Sequence, residues 1–260
     1  MKHISLILLI LYGVSASVYG QKHNNGQLHK TVHNRKREIS RFAFTAKGGL
    51  TQFYGELNEQ TMLGSYGLGF SGRVSKGISV GFDYSAGKIG GQKQTFFNSY
   101  FVTEYNAVEV TARWNLTKQF SRSKDDLFDV IVYTGVGVIF FNANAYDLDT
   151  NELLRFSNSE TSKRNQLFLR WGNPRGRAGI KKTHERIIPI GSSFDYNLTD
   201  RLKLGMDFRF YLVRTDKLDA TSGQRLINPE EGDSYSNTPN DKFSLLSVTV
   251  THCFAKPGRR

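Results

Sequence analysis

Apolar and polar side chains alternate without interruption through Arg201–Leu212. Leu202, Leu204, Met206, Phe208, Phe210 and Leu212 share one parity, and Arg201, Lys203, Gly205, Asp207, Arg209 and Tyr211 the other. A strand sends successive side chains to opposite faces, whereas a helix would scatter these residues around its circumference. The segment is therefore a strand with one apolar face and one charged face.

The same period recurs from residue 41 to residue 254. Phe42, Phe44, Ala46, Gly48 and Leu50 oppose Thr45, Lys47, Gly49 and Thr51, and Tyr66, Leu68, Phe70 and Val74 oppose Gly67, Gly69, Ser71 and Arg73. Ser75-Lys76-Gly77 has the composition of a tight turn. Ile78, Val80, Phe82 and Tyr84 return against Ser79, Gly81 and Asp83, and Val108, Val110, Ala112 and Trp114 face away from Glu109, Thr111 and Arg113. Phe128 to Phe140, Ile188 to Tyr196 and Phe243 to Phe254 supply the remaining segments, giving about eight strands. Short connections are expected at Ser75–Gly77 and Asn197–Asp200, and a medium one at Thr117–Leu127. Long ones are expected at Glu56–Ser65, Lys88–Ser99, Asp147–Arg186 and Thr215–Asp241. Long and short then alternate along the chain, which places the tight turns and both termini at one end and the long loops at the other. The fold class is an all-β, antiparallel, up-and-down barrel.

Period-two strands also build soluble barrels of the lipocalin kind. Three features favour a transmembrane barrel. The polar face is rich in glycine (Gly49, Gly67, Gly69, Gly81, Gly135, Gly137, Gly205), as suits the narrow bore of eight strands. Aromatic residues (Phe42, Trp114, Phe128, Phe140, Tyr196, Phe210, Phe254) sit toward the ends of the apolar face, where a bilayer has its interfaces. The last strand closes on Phe254, resembling the terminal signal that outer-membrane barrels present to their assembly machinery. The polar face is then the lumen, where Lys47, Arg73, Asp83, Glu109, Arg113, Lys203, Asp207 and Arg209 would meet as a paired charge network that plugs the bore.

The N-terminus adds an address. Met1-Lys2-His3, the apolar run Ile4–Leu11 and the small-residue exit Ser15–Gly20 have the layout of a secretory signal peptide, and the run is too short to span a membrane. The domain plan is a signal peptide (1–20), a flexible basic periplasmic leader (21–40), the barrel (41–254) and a short tail (255–260). The 25 glycines, 5 prolines and 13% aromatic content agree with strands. One cysteine, Cys253, excludes an intrachain disulfide and a thiolate zinc cluster.

The net charge of +12 calls for an anionic neighbour. It concentrates in the stretch 155–186, where Arg164, Arg170, Trp171, Arg175, Arg177, Lys181 and Lys182 form a candidate contact for lipopolysaccharide phosphates or an acidic partner. Export disfavours nucleic acid. Histidines 23, 29 and 33 lie in the leader without acidic or thiolate companions, so no metal site or other cofactor is expected. His252 is the one histidine on an expected strand, and no nucleophile–base set assembles around it. The expectation is a non-enzymatic barrel in the outer membrane, with periplasmic termini and extracellular loops. A small gated pore, a lipid-modifying enzyme and a soluble binder stand as alternatives.

Gly48-Gly-Leu-Thr-Gln-Phe-Tyr-Gly-Glu-Leu-Asn58, Arg214-Thr-Asp-Lys-Leu-Asp219 and the closing Lys242–Phe254 resemble segments of small outer-membrane barrels of Bacteroidota. Within that group the chain is similar to PorG-like barrels of the type IX secretion apparatus. The resemblance implies a membrane anchor or assembly partner that contacts secretion-machinery proteins, including the periplasmic ring. OmpA-class barrels carry a peptidoglycan-binding domain after the last strand; with the chain ending at Arg260, that activity is not expected.

Leu202 to Leu212 covers about 33–36 Å at ~3.3 Å per residue, or about 25 Å of membrane depth at a ~45° tilt. Phe208→Arg should therefore weaken insertion by about 2–4 kcal/mol. Heat-modifiable migration of the reconstituted protein measures this, and a variant that assembles like the parent would mean the faces are reversed.

Overall fold

The computed structural model describes residues 42–55, 57, 59–94, 98–120, 127–160, 182–199, 201–221 and 239–254. The expected signal peptide (1–20), leader (21–40) and tail (255–260) lie outside these residues. The strands are β1 (Phe42–Tyr54), β2 (Glu59–Thr61), β3 (Leu63–Ser75), β4 (Ile78–Lys93), β5 (Ser99–Asn115), β6 (Phe128–Asp147), β7 (Leu153–Phe156), β8 (His184–Asn197), β9 (Leu202–Val213) and β10 (Lys242–Cys253). One short helix, α1 (Leu116–Phe120), lies between β5 and β6.

Eight long strands pair in the order β1-β3-β4-β5-β6-β8-β9-β10, and β10 returns to β1 from Ala43↔Cys253 to Tyr54↔Lys242. Every pairing is antiparallel, so the wall is a closed up-and-down barrel. The two remaining strands are accessories at the loop end, β2 on β4 and β7 on β6.

The turn end is built by local chemistry. Gly77 takes a left-handed φ of 77°, which only glycine adopts without strain, and its carbonyl accepts the Asn115 N–H at 2.7 Å. Asn115 Oδ1 caps α1 by accepting the Lys118 N–H at 2.8 Å. Thr199 Oγ1 accepts the N–H groups of Arg201 and Leu202 to close the β8–β9 turn.

The loop end corrects two expectations. Lys88–Ser99 is not a long loop: β4 runs to Lys93 and pairs with β5 through Lys88↔Glu104 and Ile89↔Thr103 to Lys93↔Ser99, leaving only 94–98 as the connection. Past Ser85 the alternation of a lipid-facing wall stops, but the hydrogen-bond ladder does not. The alternation of long and short connections is therefore not strict. The basic stretch 155–186 is likewise not all loop. Arg155 sits on β7, where its guanidinium donates to Ser99 Oγ (3.1 Å) and to the Ala220 carbonyl (3.2 Å), and Arg186 sits on β8.

The outer wall is apolar. Phe70, Val80, Phe82, Val110, Ile190, Phe194, Phe208, Leu246 and Val248 all point outward and are exposed. An apolar surface that encircles a molecule has no stable place in water. Aromatic pairs mark its turn-end border: Phe42–Phe70 at 5.6 Å, Trp114–Phe120 at 5.8 Å, Phe128–Phe194 at 5.1 Å and His252–Phe254 at 5.4 Å. The molecule is a transmembrane β-barrel of the eight-stranded kind, with polar and apolar sides inverted relative to a soluble one.

The interior has two zones. Toward the turn end it is polar. Toward the loop end the inward parity becomes apolar, with Phe53, Ile89, Phe101, Tyr105, Ile139, Phe141, Tyr211, Phe243 and Leu245 buried together beneath Leu57 and Leu218 of the loops. Tyr211 stacks on Phe243 at 4.3 Å, and Phe53 meets Phe101 edge-on at 4.7 Å.

Glycine is required where neighbouring strands approach most closely. A Cβ on inward-facing Gly135 would collide with the Val110 carbonyl oxygen, whereas one on outward-facing Gly48 meets nothing within 4 Å. Gly135→Val should abolish the fast-migrating folded band on unboiled gels, and Gly48→Val should leave it intact. Equal folding of both variants would contradict the close approach of β5 and β6.

Candidate functional site

The lumen gathers most of the buried charges among the described residues, and glycine makes the room. Inward-facing residues on neighbouring strands compete for one narrow bore, and several large charged side chains lean over a glycine. A Cβ at Gly67 would stand 2.7 Å from the Lys47 stem, one at Gly69 2.7 Å from Asp83 Oδ1, and one at Gly81 2.5 Å from Arg113 Nε. Gly67, Gly69 and Gly81 are thus the counterparts of three of its charges.

Arg209 is the hub, with its side chain 2% exposed. Nη1 donates to Glu109 Oε2 at 2.7 Å, and Nη2 lies 3.4 Å from Asp207 and 3.6 Å from Asp83. Nε donates to Tyr133 Oη at 3.0 Å, and the guanidinium lies over the Tyr133 ring, 4.8 Å from its centre. The Tyr133 hydroxyl in turn donates to Asp207, and the Tyr211 hydroxyl to Glu109 Oε1 at 2.7 Å. Asp83 joins a second pair of cations, Lys47 at 3.2 Å and Arg113 at 2.5 Å, and accepts from Thr111 Oγ1 at 3.3 Å. Lys47, Arg113 and Arg209 balance Asp83, Glu109 and Asp207, so the cluster is neutral and each charge has a partner of opposite sign. Buried charges persist only under that condition.

A separate group lies nearer the turn end. Asp129 is held by Lys203, by Lys118 of α1 at 3.5 Å and by the Asn115 amide at 2.9 Å. Burial lowers the affinity of the Lys118 ammonium for its proton, the nearby Lys203 lowers it further, and Asp129 opposes both.

Six of the eight residues expected in the lumenal network (Lys47, Asp83, Glu109, Arg113, Asp207, Arg209) meet in one cluster. Lys203 belongs to the second group. Arg73 lines the turn-end cavity and makes no ion pair among the described residues. Asp129, Tyr133 and Tyr211 join these networks beyond the expected set, and all three stand on the inward parity of their strands. Lys118 carries no such signal, because it sits on a helix that the strand pattern does not reveal. Of the surface set, Arg164, Arg170, Trp171, Arg175, Arg177 and Lys181 lie outside the described residues, and Lys182 pairs with Glu185 at 2.9 Å. His252 points outward, edge-on to Phe254.

Below the neutral cluster a cavity of ≈ 120 Å³ is lined by residues including Arg73, Ser79, Lys118, Asp195, Lys203 and Thr251, with Asp83, Tyr133 and Arg209 also at its wall. Above the cluster stands the apolar zone. Among the described residues, the bore is thus interrupted first by charge pairs and then by stacked rings.

No protein-family model matches the chain, and no curated protein matches it. Among solved structures, it is similar to Neisserial surface protein A at 14% identity and a TM-score of 0.45, over 83% of this chain and 98% of that one. It is similar to Ail, the attachment invasion locus protein of Yersinia pestis, at 6% identity and a TM-score of 0.44, over 83% and 99%. It is also similar to the outer membrane protein OprG of Pseudomonas aeruginosa at 10% identity and a TM-score of 0.40, over 84% and 98%.

Arg209→Met leaves Glu109 and Asp207 without their principal cation and should cost about 3–5 kcal/mol of barrel stability. Arg73→Gln should change stability by no more than about 0.5 kcal/mol. Urea titration in lipid vesicles, followed by tryptophan fluorescence, separates the two, and coincident midpoints would deny Arg209 its role as hub.

Proposed function

We propose that this barrel is a non-enzymatic outer-membrane protein that serves as an anchor or assembly partner, not as a conduit. One observation supports this reading above the others: the bore is filled by a neutral charge cluster and then by an apolar plug that reaches from the wall into the loops. Such a molecule offers its ends and its outer wall for binding, while its interior gives rigidity. A fold of this class hosts many activities, so the reading rests on the filled lumen and not on the fold.

In this reading the tight turns and both termini face the periplasm and the long loops face outward. The basic stretch before β8 contacts lipopolysaccharide phosphates. The finer assignment, a partner of the type IX secretion apparatus, is supported by the likeness of the 48–58, 214–219 and 242–254 segments to small Bacteroidota barrels. It makes a periplasmic ring component the protein to look for.

In planar bilayers the purified protein should give no steady single-channel steps; regular steps would favour the gated pore. Cross-linking in cells followed by affinity capture should recover periplasmic or outer-membrane proteins of a secretion machine. Recovery of lipid alone would discredit the secretion role and leave the anchor.

A further inference from the structure

The outer wall carries one feature that a lipid-facing surface does not need. Arg186 on β8 and Arg214, the residue after β9, continue the β8–β9 ladder. The Arg214 N–H donates to the Arg186 carbonyl at 3.1 Å, one step beyond the pair Ile187↔Val213. The two arginines therefore stand directly opposite each other. Both point away from the lumen, since Ile187, Val213 and Thr215 on the other parity are buried. Lys242 on β10 lies beside Leu212, diagonal to Arg214 on the same outer face. All three are exposed, and none makes a salt bridge among the described residues.

Like charges directly opposite one another on a sheet repel. Here the repulsion is kept at one height: the next outward residues toward the membrane are Ile188 and Leu212, both apolar and exposed. The three cations thus border the apolar band where it ends on the loop side. Lipid phosphates occupy that depth, and two guanidiniums on adjacent strands present fork-shaped donors to one anion. Tyr54, paired with Lys242 and in ring contact with Phe210 at 5.7 Å, supplies an amphipathic neighbour of the interfacial kind.

We propose that Arg186, Arg214 and Lys242 form a binding site on the outer wall for the phosphate of a membrane lipid in the leaflet at the loop end. In the sequence Arg186 closes the basic stretch 155–186, whereas Arg214 and Lys242 lie outside it. The inference rests on the membrane placement of the barrel and not on any secretion role.

The test uses the full chain reconstituted in phosphatidylcholine vesicles that contain a minor fraction of spin-labelled phosphatidic acid, with spin-labelled phosphatidylcholine as reference. The parent should hold phosphatidic acid preferentially at its perimeter. R186Q/R214Q should lower that preference, at about fivefold per cation removed, and adding K242Q should lower it again. Lys88→Gln, which removes an exposed charge elsewhere on the rim, should leave the preference unchanged. Heat-modifiable migration checks that every variant is folded. A folded triple variant with the parent's selectivity would overturn the site, as would an equal loss with Lys88→Gln, which would reduce the effect to net charge. Failure of the parent to enter vesicles would instead overturn the membrane reading.

Discussion

Hydrocarbon offers no hydrogen bonds, so each backbone N–H and C=O carried into it must find a partner within the chain. For strands this demands closure, and closure here is the pairing of β10 with β1 along their full lengths. The rest of the molecule answers to that one seam. Closing eight strands makes a narrow bore, the bore must be filled by side chains, and water then cannot solvate whatever charges line it. The neutral set around Arg209 is the outcome of that sequence of constraints. The glycines at 67, 69 and 81 belong to the same outcome, because they provide the space in which the charges lie down and reach one another.

The two zones of the interior divide the work of filling. At mid-depth, ion pairs and tyrosine hydroxyls fix orientation: Arg209, Tyr133 and Asp207 close a ring of donor and acceptor in which each group determines the placement of the next. Toward the loops, aromatic and aliphatic side chains fill space by packing, much as in a soluble core. Tyr211 joins the zones, its ring on Phe243 and its hydroxyl on Glu109. The loop-end plug is also tied to the loops themselves, since Leu218 is buried among wall residues while its N–H donates to Asp241 at 2.7 Å.

Much of this was legible in the sequence because a half-solvated, half-buried strand writes both faces in alternation. Parity separates the two faces of β1, β3, β6, β9 and β10. The glycine-rich polar face, the aromatics at the ends of the apolar face and the closing Phe254 decide which side is the lumen. Lys47, Asp83, Glu109, Arg113, Asp207 and Arg209 all fall on that side. Parity failed where the environment on the two sides stopped differing. Lys88–Lys93 stands beyond the apolar band, with Ile89 inward and Lys88 outward, and its glycines resembled those of a loop. Phe53, Phe101 and Phe243 were inward-facing by count, but an expectation of a polar lumen hid them. Pairing partners such as Asp129 with Lys118 depend on a helix and a turn that no strand period encodes.

The unequal strand lengths have a mechanical side. On one flank β4, β5 and β6 continue well past the height at which β8 ends at His184 and β9 at Val213, with β6 running seven residues beyond its pairing with His184. Six ladder positions from Lys88 to Lys93 amount to about 20 Å of strand, or about 14 Å of height at a ~45° tilt. Among the described strands the rim is therefore uneven, with a paired, stiff wall on the β4–β6 side. A body settling on the β4–β6 side of the loop end would meet a surface that has already lost its conformational freedom.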